Sequence, residues 1–192
     1  MIEYAKLTPE DIVVRIEAIN RGPDPAPLHI LPHLWFRNTW CWGPVPGPEP
    51  TIHPGPAGTA FMSLVTDDSE VETLSNIPVH YRLGRRTLYG PSSSAALFTN
   101  NETNSPRVFG PGHFNRKPYV KDAFHRFVVN GELCINPQRF GTKAAIHYRF
   151  EAVPPGGSVV LRLRLSDDTE LHEPLAPRKL PVYVPEVELP NQ

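Results

Sequence analysis

The chain has 192 residues, of which 40% are hydrophobic, and its formal net charge is -1. This length predicts one domain with one core, and the balanced charge excludes a basic surface for nucleic acid or for an anionic membrane. The two cysteines, Cys41 and Cys134, lack CxxC spacing, so we expect two reduced thiols. No apolar stretch approaches the ~20 residues of a membrane span, and MIEYAKLTPED lacks the apolar core of a signal peptide, which favours a cytoplasmic protein.

Short apolar or alternating segments that end in Gly, Pro or Asn predict strands along most of the chain. The predicted strands are DIVVRIEAINRG (11–22), LHILPHLWFRNTW (28–40, divided by Pro32), HYRLGRRTLYG (80–90), AALFT (95–99), HRFVVNG (125–131), AAIHYRFEAV (144–153) and SVVLRLRLS (158–166). In the last segment Val160, Arg162 and Arg164 alternate with Leu161 and Leu163, as in a strand with one apolar face. These segments predict an all-β fold, an antiparallel β-sandwich. Only SLVTDDSEVETLSN (63–76) is compatible with a short helix.

Proline accounts for 24 residues and is concentrated in two stretches, 42–60 and 172–192. Proline is tolerated poorly in helices and central strands, so both stretches are predicted to be extended loop or linker. We therefore predict a β-sandwich domain at 1–168, which the resemblance described below suggests is incomplete at its amino terminus, and a Pro-rich tail at 169–192.

The sequence contains none of the short motifs GxGxxG, P-loop, HExxH or GxSxG. His29 and His33 have the spacing of a metal pair on a helix, but Pro32 lies between them and no carboxylate is close in sequence. We therefore predict neither a metal site nor a cofactor, and interpret the histidines as surface or core residues.

The segment LFTNNETN (97–104) is the most unusual polar run, with three asparagines between strand-like segments. It is either a turn in which Asn and Thr side chains bond the local backbone, or a polar loop at the rim of the sandwich that faces a sugar or another domain. In YVKDAFHRFVVNG (119–131), Asp122 and His125 could form an acid/base pair. The more economical interpretation is that Asp122 pairs with an arginine or a backbone amide of the same domain.

Four blocks of the sequence belong together: LHILPHLWFRNTWCWG (28–43), LFTNNETNSPRVFG (97–110), NRKPYVKDAFHRFVVNG (115–131) and NPQRFGTKAAIHYRF (136–150). In this order they resemble the amino-terminal region of bacterial glucosidases. These proteins are similar to glycoside hydrolase family 63 and its mannosylglycerate-hydrolase-like relatives. The resemblance runs from about Glu3 to about Asp168. It implies a sandwich of the supersandwich kind that packs against an (α/α)6 barrel, in which the two catalytic carboxylates lie.

The resemblance implies a noncatalytic amino-terminal domain or fragment whose partner is that barrel, and no catalytic residue in this chain. Asn100 stands where relatives of this kind have a glutamate, and Glu102 is retained. The candidate residues for substrate binding or for the domain interface are Trp35, Arg37, Trp40, Trp42, Asn101, Glu102, Asn104, Lys121, Asp122 and His125.

Two other functions remain open at this point. A free-standing carbohydrate-binding module would present a platform of aromatic rings, for which Trp35, Trp40 and Trp42 are candidates, with Trp40 and Trp42 on one strand face. A structural domain without a ligand would use an exposed apolar surface for self-association.

Overall fold

The structure is a computed structural model that describes residues 1–41, 45–71, 82–92, 95–167 and 171–176. In these residues the chain forms mainly antiparallel strands with two short helices, which confirms the predicted all-β sandwich. The strands are β1 (Ile2–Thr8), β2 (Asp11–Ile19), β3 (Ala26–Ile30), β4 (His33–Trp35), β5 (Thr51–Pro54), β6 (Phe61–Asp67), β7 (Arg86–Pro91), β8 (Ala95–Thr99), β9 (Lys143–Val153) and β10 (Ser158–Ser166). The helices α1 (Ser105–Phe109) and α2 (Ala123–Asn130) lie between β8 and β9.

The strands form two antiparallel sheets. The larger sheet has the order β1-β2-β10-β7-β6-β5, and in the smaller sheet the long strand β9 pairs with β3, β4 and β8. An isolated antiparallel bridge between Ile52 of β5 and Gly141 links the two sheets at one edge. The sheets therefore meet close to the segments that carry the polar loops.

The main core lies between the facing sides of the two sheets. It contains Ile52, Leu64, Leu88, Phe98, Ala144, Ile146, Tyr148, Leu161 and Leu163. Packing requires a glycine at position 90, because a Cβ on Gly90 would come within 2.4 Å of the Tyr148 hydroxyl. That hydroxyl donates a hydrogen bond to the carbonyl of Pro91 at 3.0 Å, so the one buried polar group of the ring is satisfied.

Most predicted strands are confirmed. The 28–40 segment forms two strands on either side of Pro32, AALFT is β8, and the segments at 144–153 and 158–166 correspond to β9 and β10. Within 80–90 the described strand begins at Arg86, and residues 80–81 lie outside the described part of the chain. The region 1–10 was assigned no strand from the sequence, yet it contains β1, the edge strand that pairs with β2.

Two segment predictions are wrong. HRFVVNG is not a strand, because residues 123–130 form α2, whose apolar residues Phe124 and Phe127 pack into a second small cluster. Gly131 ends this helix in the left-handed conformation, with φ 68°. The proposed helix at 63–76 is also wrong where it is described, since Phe61–Asp67 is the buried strand β6.

The Pro-rich stretches are only partly irregular. Thr51–Pro54 within the first stretch forms β5, the last strand of the larger sheet. Proline is tolerated in an edge strand because its missing backbone N–H can face the side on which no strand pairs. Most of the predicted tail, 169–192, lies outside the described residues, and its described part is 171–176. In the described part of the chain no helix is long and apolar enough to cross a membrane.

A buried ion pair joins the start of β2 to the end of β10. The Arg164 guanidinium donates from Nε to Asp11 Oδ1 at 2.8 Å and from Nη2 to Asp11 Oδ2 at 2.6 Å. Both residues are buried, and Nη1 of Arg164 donates to the carbonyl of Pro174 at 3.4 Å. The apolar face that was predicted for β10 is therefore present. Arg164 lies on the other face of the strand, but it is also buried.

Removal of Asp11 should be strongly destabilising, because Arg164 would remain buried without its carboxylate. We expect Asp11→Ala to lower the free energy of unfolding by about 3 to 5 kcal/mol. The matched control is Glu3→Ala, since Glu3 pairs with Arg15 at 2.9 Å near the surface, and such pairs contribute at most about 1 kcal/mol. Urea unfolding of both variants measures the difference, and equal small losses would contradict this assignment.

Candidate functional site

The loop that follows β8 is held by hydrogen bonds from several distant segments. The backbone N–H of Asn100 donates to the carbonyl of Tyr119 at 2.9 Å, and the N–H of Lys121 donates to the carbonyl of Glu102 at 2.9 Å. The N–H of Asn101 donates to Thr142 Oγ1 at 2.8 Å. The loop is thus fixed to the 119–121 segment and to the residue that precedes β9.

Asn101 adds two further connections. Its carboxamide nitrogen donates to the carbonyl of Phe36 at 2.7 Å, and its backbone carbonyl accepts from the Asn38 carboxamide nitrogen at 3.1 Å. This asparagine therefore ties the loop to the chain that leaves β4. The turn interpretation is too local, because its partners are 63 and 65 residues away in sequence.

Glu102 is the charged centre of a cleft of about 390 Å³, which we call the Glu102 cleft. The lining residues are Asn38, Cys41, Asn101, Glu102, Thr103, Ser105, Phe114, Arg116 and Lys121. Glu102 is only 9% exposed. Its Oε1 accepts a hydrogen bond from Arg116 Nη2 at 2.5 Å and one from the Cys41 thiol at 3.3 Å.

A second carboxylate extends this network. Glu49 Oε1 lies 3.0 Å from Arg116 Nη2 and 3.1 Å from Lys117 Nζ, so Arg116 bridges two carboxylates. Burial disfavours the charged form of Arg116, but the hydrogen bond and the negative charge of Glu102 outweigh it and raise the pKa of Arg116. The formal charges of these two carboxylates and of Arg116 and Lys117 sum to zero.

The environment of Cys41 disfavours its thiolate form. Burial raises the pKa of Cys41, and the hydrogen bond to Glu102 together with the charge of that carboxylate raises it further. The Asn38 side chain and the positive charge of Arg116 act in the opposite direction but are outweighed. Since the thiolate is the nucleophile, this cysteine serves as a hydrogen-bond donor at neutral pH.

Asp122 lies beside the cleft and is paired, as expected from the sequence. Its Oδ2 accepts from the Asn104 carboxamide at 3.0 Å and from Arg107 at 3.2 Å, and its Oδ1 lies 3.7 Å from Arg126, one helical turn further along α2. These contacts connect α1 to α2. The structure therefore gives Asp122 and Asn104 a structural role, and places His125, which is exposed on α2, outside the lining of the Glu102 cleft.

The two tryptophans that the structure describes do not provide the aromatic platform that a carbohydrate-binding module would use. Trp40 is 5% exposed and lies in a turn rather than on a strand face, so its ring is not available to a ligand at the surface. Its indole Nε1 is buried and has no hydrogen-bond partner. Trp35 ends β4 and is exposed, Arg37 is exposed beyond it, and neither lines the Glu102 cleft. Trp42 lies outside the described residues.

The cleft brings together residues that the sequence indicated and residues that it did not. Asn101, Glu102 and Lys121 were candidates and line it. Asn38, Cys41 and Arg116 also line it but were not candidates, and Glu49, outside the lining, pairs with Arg116. The adjacent charges of Arg116 and Lys117 were visible in the sequence, but a basic pair does not identify its carboxylates.

The histidine pair considered from the sequence is separated. His29 stacks on His147 of β9, with ring centroids 5.0 Å apart, whereas His33 contacts the edge of the Phe124 ring. Among the described residues no group of three His, Cys, Asp or Glu side chains has the arrangement of a metal site.

Comparison with known proteins gives a limited context for this site. No protein-family model matches the chain. The chain is similar to an uncharacterized protein of Saccharomyces cerevisiae, YMR196W, with 30% identity over 183 aligned positions. The alignment covers 83% of this chain and 16% of the yeast protein, so most of the yeast protein has no counterpart here.

The network around Cys41 predicts how its pKa responds to substitution. In a chain that carries Cys134→Ser, so that Cys41 is the only thiol, Glu102→Gln should lower the pKa of Cys41 because it removes the negative charge. Arg116→Met should raise the pKa, because it removes a positive charge. The pH dependence of alkylation by iodoacetamide measures both shifts. The same midpoint in both variants would show that Cys41 is remote from this ion pair.

Asp122 allows a separate test of the structural interpretation. We expect Asp122→Ala to lower the free energy of unfolding by about 1 kcal/mol, because it removes partly exposed ion pairs and one hydrogen bond between α1 and α2. His125→Ala on the same helix is the control, with an expected change within about 0.5 kcal/mol. Thermal melts provide the comparison. An unchanged midpoint for Asp122→Ala, together with loss of sugar binding, would assign Asp122 to a ligand instead.

Proposed function

We propose that this chain is a noncatalytic β-sandwich domain of a glycoside-hydrolase-like protein, which packs against a helical barrel domain and forms one wall of a sugar-binding cleft. The ion-paired Glu102 cleft is the observation that carries the proposal. Its polar groups are those that recognise hydroxyl groups: a carboxylate, a guanidinium and the carboxamides of Asn38 and Asn101. Phe114, which is 88% exposed, adds an aromatic ring at the rim.

The pairing of the carboxylates supports a binding role over hydrolysis. Hydrolysis of a glycosidic bond requires one carboxylic acid that donates a proton and a second carboxylate that acts as base or nucleophile. Glu102 and Glu49 share Arg116, and Asp122 pairs with two arginines. Each of these carboxylates already contacts an arginine, an arrangement that suits acceptors of sugar hydroxyls better than a pair of free catalytic carboxyl groups.

An exposed apolar surface supports a partner domain. Five large apolar side chains on or beside α1 and α2 face solvent, and we call them the 108–133 surface: Val108, Phe109, Phe114, Val129 and Leu133. Leu133 is 97% exposed. Exposed apolar groups that form a contiguous patch mark an interaction site on a monomeric protein. Since the yeast protein extends far beyond the aligned 16%, a further domain of a larger protein is the partner that fits this surface.

The free thiols are compatible with a reducing compartment. Cys41 and Cys134 are both unpaired. Disulfides are rare in the cytosol, where thiols are kept reduced. We therefore assign the protein to the cytoplasm as part of the proposal.

The partner surface predicts self-association of the isolated chain. Sedimentation velocity over a range of concentrations should show association of the wild-type chain, since exposed apolar groups drive it. The double variant Phe114→Ser, Leu133→Ser should be monomeric. Tyr4→Ser is the control, because Tyr4 is also a large, exposed aromatic residue but belongs to the edge strand β1.

Two outcomes would contradict the proposed function. In the first, Tyr4→Ser abolishes self-association and the double variant does not, which would assign the association to the open edge of β1. Turnover of 4-nitrophenyl α-glucoside by the wild-type chain, lost in Glu102→Gln, would make the domain catalytic.

A further inference from the structure

A second cleft, of about 300 Å³, lies on the other side of the loop after β8 and shares no lining residue with the Glu102 cleft. We call it the Asn100 cleft. The segments that line it are 49–51, Asn100, 117–119 and part of 136–142. Its position is where the two sheets meet, next to the bridge between Ile52 and Gly141.

The carboxamide of Asn100 is the unusual group in this cleft. Asn100 is only 8% exposed; its backbone N–H donates to the carbonyl of Tyr119, and its backbone carbonyl accepts from the Thr99 hydroxyl. Its side-chain nitrogen and oxygen, however, hydrogen-bond to none of the described residues. The carboxamide lines the cleft and is not among the fully buried polar atoms that lack a partner, so its donors and acceptor are open to a molecule in the cleft.

The neighbouring buried groups differ from Asn100 in this respect. Asn136 donates from its carboxamide to the carbonyl of Phe140 at 2.7 Å and accepts from the N–H of Gln138 at 3.0 Å. The hydroxyl oxygen of Thr142 accepts from Asn101. These residues hold the cleft in shape, while Asn100 and the exposed side chain of Gln138 remain able to bond a ligand.

The backbone beneath the cleft is closely packed. A Cβ on Gly141 would come within 2.1 Å of the carbonyl oxygen of Thr99, so only glycine permits this approach. Gly141 also exchanges two backbone hydrogen bonds with Ile52, at 2.8 and 3.1 Å. The floor of the cleft is therefore preformed, as is usual for small-molecule sites.

The chemistry of the lining selects a neutral ligand with hydroxyl groups. Glu49 and Lys117, the charged residues that line the cleft, pair with each other at 3.1 Å. Carboxamides offer both donors and acceptors without charge. Phe140 is 49% exposed, and its ring can pack against an apolar face of a ligand. The volume is at the lower end of the ~300–1,000 Å³ that small-molecule sites occupy.

We propose that the Asn100 cleft is a second sugar subsite, which binds one neutral pyranose unit through the Asn100 carboxamide and the Phe140 ring. The choice of a sugar rests on the proposed function, whereas the site itself rests on the geometry of this cleft. The subsite differs from the Glu102 cleft in its lining residues and in its charge. Glu49 connects the two, because it pairs with Arg116 of the Glu102 cleft and with Lys117 of the Asn100 cleft.

The test is a titration of the full chain, labelled with ¹⁵N, with D-glucose. Glucose should shift the signals of the Asn100 carboxamide and of residues 117–119 and 138–142. Asn100→Leu keeps the size of the side chain and removes its polar groups. It should weaken glucose binding about tenfold, the effect of one or two lost hydrogen bonds. Its melting midpoint should be unchanged, because the carboxamide contributes no hydrogen bond to the fold.

Further variants make the assignment falsifiable. Gln138→Ala and Phe140→Ala change exposed side chains and should each weaken binding, so they decide the question if Asn100→Leu does not fold. Glucose 6-phosphate should bind more weakly than glucose, because the cleft provides no unpaired cation.

The outcomes separate this inference from the proposed function. Absence of any shift with glucose would overturn the subsite, and so would binding that Asn100→Leu, Gln138→Ala and Phe140→Ala leave unchanged. Binding that is lost in Glu102→Gln and retained in these variants would move the sugar to the first cleft. That result would overturn the subsite while leaving the proposed function intact. Failure of the proposed function alone would appear in the sedimentation experiment, where glucose plays no part.

Discussion

The hydrogen bonds that hold the loop after β8 determine the geometry of both clefts. Three consecutive residues, Asn100, Asn101 and Glu102, form hydrogen bonds with Phe36, Asn38, Tyr119, Lys121 and Thr142. These partners come from three separate parts of the sequence, so the conformation of the loop depends on the tertiary structure. Because the loop separates the clefts, a shift in any partner would change both of them together.

Charge neutrality is the second constraint on this region. Glu102, Arg116, Glu49 and Lys117 alternate in sign along a connected series of contacts of 2.5 to 3.1 Å. Burying one such charge alone would cost several kcal/mol, and the series avoids this by pairing every member. Within this network each carboxylate is paired with a cation, and the Cys41 thiol donates a hydrogen bond to Glu102.

The fold class could be predicted because alternation within a strand is a local property. β8 and β10 coincide with segments chosen from the sequence alone. α2 was missed because HRFVVNG contains Val128 and Val129, which favour strands, whereas the evidence for a helix was the αL glycine at Gly131 and the Asp122 to Arg126 pair. The burial of Arg164 was equally invisible, since it depends on Asp11, 153 residues away.

The candidate site was predictable only where its polar residues are adjacent in sequence. NNETN stood out as a run, and Glu102 lies at the centre of the first cleft. Cys41 and Arg116 reach Glu102 from 61 and 14 residues away, so their role depended on the assembled fold. Asn100 was noted only because the resemblance places a glutamate there, and its position in the second cleft depended on the assembled fold. A carboxylate at this buried position would line the same cleft as Glu49, whose cation Lys117 is already paired, whereas a carboxamide adds no charge and can still bond a hydroxyl group.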